Sequence, residues 1–67
     1  MEIKRHSIVQ INDKHEREEW IGCLVYVDEV KSFGIQGFIK VPTQGSIYIR
    51  LNFSEIDYIG EAVMQIE

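Results

Sequence analysis

The sequence predicts an all-β protein, a small barrel or rolled sheet, from two observations. Between Val9 and Leu51 almost every candidate core residue occupies an odd position, and the apolar runs are separated by residues typical of turns. Because successive side chains on a strand point to opposite faces, this period of two predicts several half-buried antiparallel strands with one shared inner surface. The residues with this parity are Val9, Ile11, Ile21, Cys23, Val25, Val27, Ile35, Ile39, Val41, Ile47, Ile49 and Leu51.

The first strand is expected at Ser7–Asn12, with Val9 and Ile11 pointing inward. The next seven residues, 13–19, are all polar, which predicts a solvated loop or a single helical turn. A loop dedicated to binding a partner is the alternative for this segment.

The longest apolar run, Trp20–Val30, predicts the second strand. Gly22 lies near its start, where the lack of a Cβ permits a bulge or a sharp bend. Residues Val30–Gly34 are expected to connect it to a third strand, Ile35–Pro42. Gly37 inside that strand predicts either a second bend or a large cross-strand neighbour that fills its space.

Thr43–Gly45 has the strongest turn signal in the chain, and it predicts a hairpin to a fourth strand at Ser46–Asn52. A three-residue loop with glycine in the left-handed conformation keeps the odd residues of both strands on one face. The predicted pairs are Val41 with Ile47, Ile39 with Ile49, Lys40 with Tyr48, and Phe38 with Arg50.

Residues 52–56 predict one short helical turn before the last strand. Asn52 is suited to cap the N–H of Glu55, whose carboxylate can return the bond. The last strand is expected at Asp57–Met64, where the apolar parity shifts after Gly60 and indicates a bulge at that glycine.

Five short strands, a long loop after the first and a helical turn before the fifth resemble the SH3-like small barrel, as one domain spanning residues 1–67. The stretch Trp20–Phe38 is also similar to a group of small uncharacterised proteins from phages and prophages of Gram-positive bacteria, as are Tyr48–Leu51 and Ile56–Gly60. This resemblance implies a phage origin and a fold. It carries over no active-site residues, and SH3-like barrels include peptide binders, RNA binders and assembly subunits.

Composition narrows the classes of function. With 67 residues the chain forms one domain of marginal stability, and its single cysteine excludes an intramolecular disulfide. The two histidines and one thiol do not complete a zinc site without carboxylates or a second subunit, so no metal or cofactor is expected. A net charge of −4 disfavours nucleic acid as the partner, although folding could still gather basic residues on one face.

No apolar run approaches the roughly 18–20 residues that span a bilayer, and Met1–His6 lacks the apolar segment of a signal peptide. We therefore expect a cytoplasmic protein, located in the host cytoplasm if a phage encodes it, with no membrane contact.

No residue cluster predicts catalysis, and we expect the protein not to be an enzyme. Cys23 has the parity of a small core residue rather than of an activated nucleophile. The neighbouring carboxylates Glu18–Glu19 and Asp28–Glu29 would point apart on a strand, so neither pair can share a proton or a metal ion.

The aromatic residues are the strongest candidates for a binding site. Tyr26, Phe38 and Tyr48 have even parity, opposite to that of the aliphatic core, which predicts an outward-facing strip. Such rings either form a binding surface or cover the open ends and the outer face of a small barrel. The candidate interaction residues are Trp20, Tyr26, Phe33, Phe38, Lys40, Tyr48, Arg50 and Tyr58.

Three functions remain open. The leading hypothesis is a protein-binding module that modulates a host or phage protein by occupying its surface. The second is binding of RNA or single-stranded DNA, with bases stacked on Tyr26, Phe38 or Tyr48 and phosphates held by Lys40 and Arg50. The third is a structural barrel whose edge strands pair between copies as a homo-oligomer.

Overall fold

The computed structural model describes residues 3–41 and 45–62, and it contains one antiparallel sheet of five strands. The strands stand in the order β4-β3-β2-β1-β5, with single 3-10 turns at Glu18–Trp20 and Phe53–Glu55. The predicted all-β class and the helical turn before the last strand are confirmed, and the elements follow the order that carried the resemblance to the SH3-like barrel. The strands are β1 (Ser7–Ile11), β2 (Leu24–Val30), β3 (Gly34–Val41), β4 (Gly45–Asn52) and β5 (Ile56–Glu61).

The core lies on the face that the odd positions share. All but one of its fully or almost fully buried aliphatic residues have the predicted parity, and Cys23, Ile47 and Ile49 pack against them as partly buried side chains. The exception is Ile56, which pairs with Ile11 at the start of β5. The buried set is Val9, Ile11, Val25, Val27, Ile35, Ile39, Leu51 and Ile56.

The predicted second strand was wrong in its first residues. Trp20 closes a 3-10 turn and β2 begins only at Leu24. Gly22 provides the expected bend, because its φ of 91° lies in the left-handed region that residues with a Cβ rarely adopt. The apolar run therefore begins with a turn and continues into a strand. Its first residue, Trp20, packs against the core from the turn rather than from an extended strand.

The predicted register of the β3–β4 hairpin was also wrong, by two residues. Ile39 pairs with Ile47, Phe38 with Tyr48 and Gln36 with Arg50, while Lys40 pairs with Ser46. The ladder closes at Val41 and Gly45, and the three loop residues 42–44 lie outside the described part of the chain. A shift of two residues keeps every side chain on its own face, so parity alone cannot distinguish these registers.

The β2–β3 pairing includes a very close approach at Gly37. A Cβ on this glycine would lie 2.1 Å from the carbonyl oxygen of Tyr26, so backbone occupies the space beside Gly37. Of the two alternatives expected there, a bend or a large cross-strand side chain, the large side chain is therefore wrong. The register passes from Val27 opposite Gly37 to Glu29 opposite Gln36, which leaves Asp28 as the extra residue of a β-bulge.

In β5 the bulge falls one residue before the predicted glycine. Ile8 pairs with Gly60 and Val9 with Tyr58, so Ile59 is the extra residue. The strand ends at Glu61 rather than at residue 64, and residues 63–67 lie outside the described part of the chain.

Past this bulge, hydroxyl and carboxylate groups connect β5 to β1. The fully buried hydroxyl of Ser7 and the hydroxyl of Tyr58 both donate to Oε2 of Glu61, at 2.9 and 2.8 Å, and Ser7 Oγ accepts a bond from the N–H of Lys4. These bonds to the ionised form lower the pKa of Glu61, with the Tyr58 bond contributing most. The same bond to Glu61 raises the pKa of Tyr58.

The close approach at Gly37 predicts a strong effect of a single methyl group. Gly37→Ala should lower the free energy of unfolding by more than about 2 kcal/mol, because the new Cβ collides with backbone that cannot move independently. Gly60→Ala is the matched control, since no atom lies within 4 Å of its added Cβ. Urea denaturation of both variants measures the difference, and equal losses would contradict the close approach.

The bonds to Glu61 predict a pH dependence of stability. The folded-state pKa lies below the ordinary value of 4.5, so the contribution of this carboxylate is present above about pH 4.5 and is lost as the pH falls through the lowered pKa. Wild type should therefore exceed Glu61→Gln in unfolding free energy at neutral pH and approach it in acid. Denaturation curves between neutral and acidic pH test this, and a difference that stays constant with pH would contradict it.

Candidate protein-interaction surface

Three aromatic residues on neighbouring strands form a row across the outer face of the sheet. Tyr26 of β2 pairs with Phe38 of β3, and Phe38 pairs with Tyr48 of β4. Paired residues project from the same face, so the three rings stand side by side. We refer to Tyr26, Phe38 and Tyr48 as the aromatic row. On its far side Tyr26 pairs with Ile8 of β1, which extends the apolar surface to a fourth strand.

The row is open to solvent although it is apolar. Phe38 and Tyr48 keep 44% and 45% of their surface exposed, and their rings meet edge-on with centroids 4.8 Å apart. Leu24 at the start of β2 is 53% exposed and, with Ile8, Tyr26 and Phe38, lines a shallow groove beside the row. The parity of the sequence predicted the outward position of the rings, whereas Leu24 and Ile8 were not among the candidate site residues.

Polar contacts hold both tyrosine rings in place. The hydroxyl of Tyr48 donates to Oδ2 of Asp28 at 3.1 Å, and the hydroxyl of Tyr26 forms a hydrogen bond with Nδ1 of His6. Desolvation, and after it the bond to Asp28, raises the pKa of Tyr48. Because their hydroxyls are already engaged, these rings lose less conformational freedom on binding than free side chains would.

The bulge in β2 supplies the carboxylates next to the row. Asp28 is the extra residue, and Glu29 then pairs with Gln36, two residues from Phe38 on the same face. The carboxylates have different cationic neighbours, Arg5 at 4.0 Å from Asp28 and Lys31 at 2.8 Å from Glu29. The bulge therefore interrupts the simple alternation expected for Asp28 and Glu29, and each carboxylate takes part in an ion pair.

Arg50 lies on the same face but does not stand opposite Phe38 as predicted. It pairs with Gln36, and its guanidinium lies 5.1 Å from the ring centroid of Phe33 in the β2–β3 turn. The main chain of Lys40 pairs with Ser46, and its side chain lies outside the described part. The observed register thus places a tyrosine next to Phe38 and moves the arginine one pair further along the strands.

A second exposed aromatic residue lies next to Phe33. The N–H of Phe53 donates to the carbonyl of Phe33 at 3.3 Å, and the Phe53 side chain is 44% exposed. The capping pattern of residues 52–56 predicts that Phe53 lies in the helical turn, and the bond from Asn52 N–H to the Glu55 carboxylate at 3.0 Å supports that turn. That pattern describes the backbone and gives no information about the outward ring.

Trp20 and Tyr58 lie away from the row. Trp20 is half-buried against the core, with the Arg17 guanidinium 4.4 Å from its ring centroid and the His15 ring 5.5 Å away. Tyr58 pairs with the buried Val9 and donates to Glu61, so its ring lies on the inner side of the sheet. The eight predicted residues therefore do not form one continuous surface, and the aromatic row is the part that the fold assembles.

The described residues contain no group of three or more His, Cys, Asp or Glu side chains that could hold a metal ion. Cys23 is half-buried and packs against the core. Within residues 3–41 and 45–62, no helix has the length and apolar character needed to cross a bilayer.

Comparison of the chain with protein-family models, with curated proteins and with solved structures found no match.

Proposed function

We propose that this chain is a small phage-type protein-binding module that acts in the host cytoplasm by covering part of the surface of a host or phage protein, without catalysis. The aromatic row is its contact surface. The observation that supports this most directly is that Phe38 and Tyr48 remain exposed on a sheet whose other face already buries the aliphatic core.

The composition of the row suits a protein interface. Aromatic side chains are enriched among the residues that contribute most to protein–protein binding, because each buries a large area at a small cost in side-chain entropy. The rings of Phe38 and Tyr48 already contact each other, and the Tyr48 hydroxyl is held by Asp28. The exposed Leu24 adds an aliphatic border to the same surface.

The charges around the row favour a protein over a nucleic acid. Arg5 and Lys31 lie beside carboxylates of β2, and the guanidinium of Arg50 lies over the Phe33 ring. These cations are thus partly neutralised or engaged, and the chain as a whole carries a net charge of −4. Such a surface repels phosphates and favours a partner whose contact surface is apolar with a neutral or basic rim.

The proposal predicts that a partner depends on Phe38. We expect Phe38→Ser to weaken binding by roughly 30-fold or more, as loss of a central aromatic anchor costs about 2 kcal/mol. Phe53→Ser is the matched control, because this ring is equally exposed but lies outside the row. Partners are first enriched from a Gram-positive bacterial lysate, and the affinity of each purified candidate for wild type and both variants is then measured by calorimetry.

Equal affinities of wild type and Phe38→Ser for every purified partner would contradict the proposal. A gel-shift assay at low salt with single-stranded DNA and RNA tests the second function. A shift that Phe38→Ser abolishes and Phe53→Ser retains would instead favour base stacking on the row.

A further inference from the structure

The outer edge of β4 has backbone N–H and C=O groups without a partner among the described residues, and the hydrogen bonds of β3 determine which residues carry them. The N–H of Lys31 donates to the carbonyl of Gly34 at 2.8 Å, so the backbone groups of Gly34 face β2. In an antiparallel ladder the residues of a strand bond alternately to one neighbour and to the other. Because Gly34 bonds to β2, its partner Asn52 has no bond to β3 and its backbone groups face away from the sheet. By alternation, the β4 residues that bond to β3 are Ile47, Ile49 and Leu51, and those that face away are Ser46, Tyr48, Arg50 and Asn52.

A second hydrogen bond confirms this assignment of the inward and outward residues of β4. The N–H of Asn52 donates to the Glu55 carboxylate, as it can only if it points away from β3. Among the described residues, the outward N–H and C=O groups of Ser46, Tyr48 and Arg50 have no backbone partner, since β4 is the end strand of the sheet. The open edge therefore consists of three N–H and three C=O groups centred on Tyr48.

This edge lacks the features that normally prevent strands from pairing with other chains. Exposed edges are usually short, bulged, or protected by proline and charged residues. The strand β4 has eight residues in unbroken register with β3, no proline and a single charged residue, Arg50. The opposite edge, β5, has a bulge at Ile59 and two carboxylates, Asp57 and Glu61.

We propose that a second copy of this chain pairs with β4, strand antiparallel to strand, about a two-fold axis at Tyr48. In this register Tyr48 bonds to Tyr48 of the second copy, and Ser46 bonds to Arg50 of the second copy. Every outward N–H of Ser46, Tyr48 and Arg50 then meets a C=O of the other chain, and no group of this segment is left unpaired. The pairing is isologous and closes as a dimer.

The side chains of β4 are compatible with this pairing on both faces. On the inner face Ile47 stands beside Ile49 of the second copy, and both are only half-buried within one chain. On the outer face the two Tyr48 rings become neighbours, and Arg50 faces Ser46 rather than another charge. The dimer therefore buries apolar area without opposing like charges, which benefits a chain too small for a large core.

A dimer paired through this edge should show a pattern of amide exchange that alternates along β4. At high protein concentration the amides of Ser46, Tyr48 and Arg50 should be protected, and on dilution these three should exchange rapidly while those of Ile47 and Ile49 remain protected by β3. Hydrogen exchange by NMR, together with native mass spectrometry of the wild-type chain, measures this. A monomer at every concentration, an assembly larger than a dimer, or a dimer with unprotected Tyr48 and Arg50 amides would overturn it.

Variants provide a second test. Ser46→Pro removes an outward donor without removing a bond to β3, and it should weaken dimerisation by at least about tenfold. Ser46→Ala keeps the N–H and should dimerise like wild type. Phe38→Ser should also dimerise normally, and loss of the dimer in this variant would overturn the edge pairing in favour of contact through the aromatic row. If Ser46→Pro does not fold, as judged by circular dichroism, the exchange pattern of the wild type decides.

Discussion

The β2–β3 ladder is the pairing on which the rest of this structure depends. At Gly37 the two strands come so close that a Cβ would meet the carbonyl oxygen of Tyr26. The register changes directly beyond this point, and Asp28 becomes the extra residue whose carboxylate accepts the bond from Tyr48, two strands away. A backbone constraint between two strands thus fixes both the pairing of Tyr26 with Phe38 and the orientation of the third ring of the row.

The two faces of the sheet have different roles. The inner face buries aliphatic side chains from all five strands and provides the cohesion of a very small domain. The aromatic row lies on the other face, where it adds little to that core and remains exposed. Large rings held in fixed positions outside the core are the feature of this structure that best supports the proposed binding surface.

The two edges of the sheet also differ. On β5 a bulge at Ile59 interrupts the regular ladder, and Asp57 and Glu61 add charge to the strand. The hydroxyl of Ser7 in β1 and that of Tyr58 both donate to the Glu61 carboxylate. On β4 the ladder to β3 is regular, and the outward groups between Ser46 and Arg50 are free of backbone partners among the described residues. The row and the open edge meet at Tyr48, so any contact made by this edge also affects the row.

The sequence alone determined the all-β class, the inner residues other than Ile56 that form the buried core, and the outward position of Tyr26, Phe38 and Tyr48, because side-chain alternation on a strand is a local property of the backbone. The capping pair Asn52 and Glu55 was also predictable, since it spans only three residues. The hairpin register, the start of β2 and the bond from Tyr48 to Asp28 were decided by tertiary structure. Parity is unchanged by a shift of two residues, and only the contacts between strands and with the core select one arrangement.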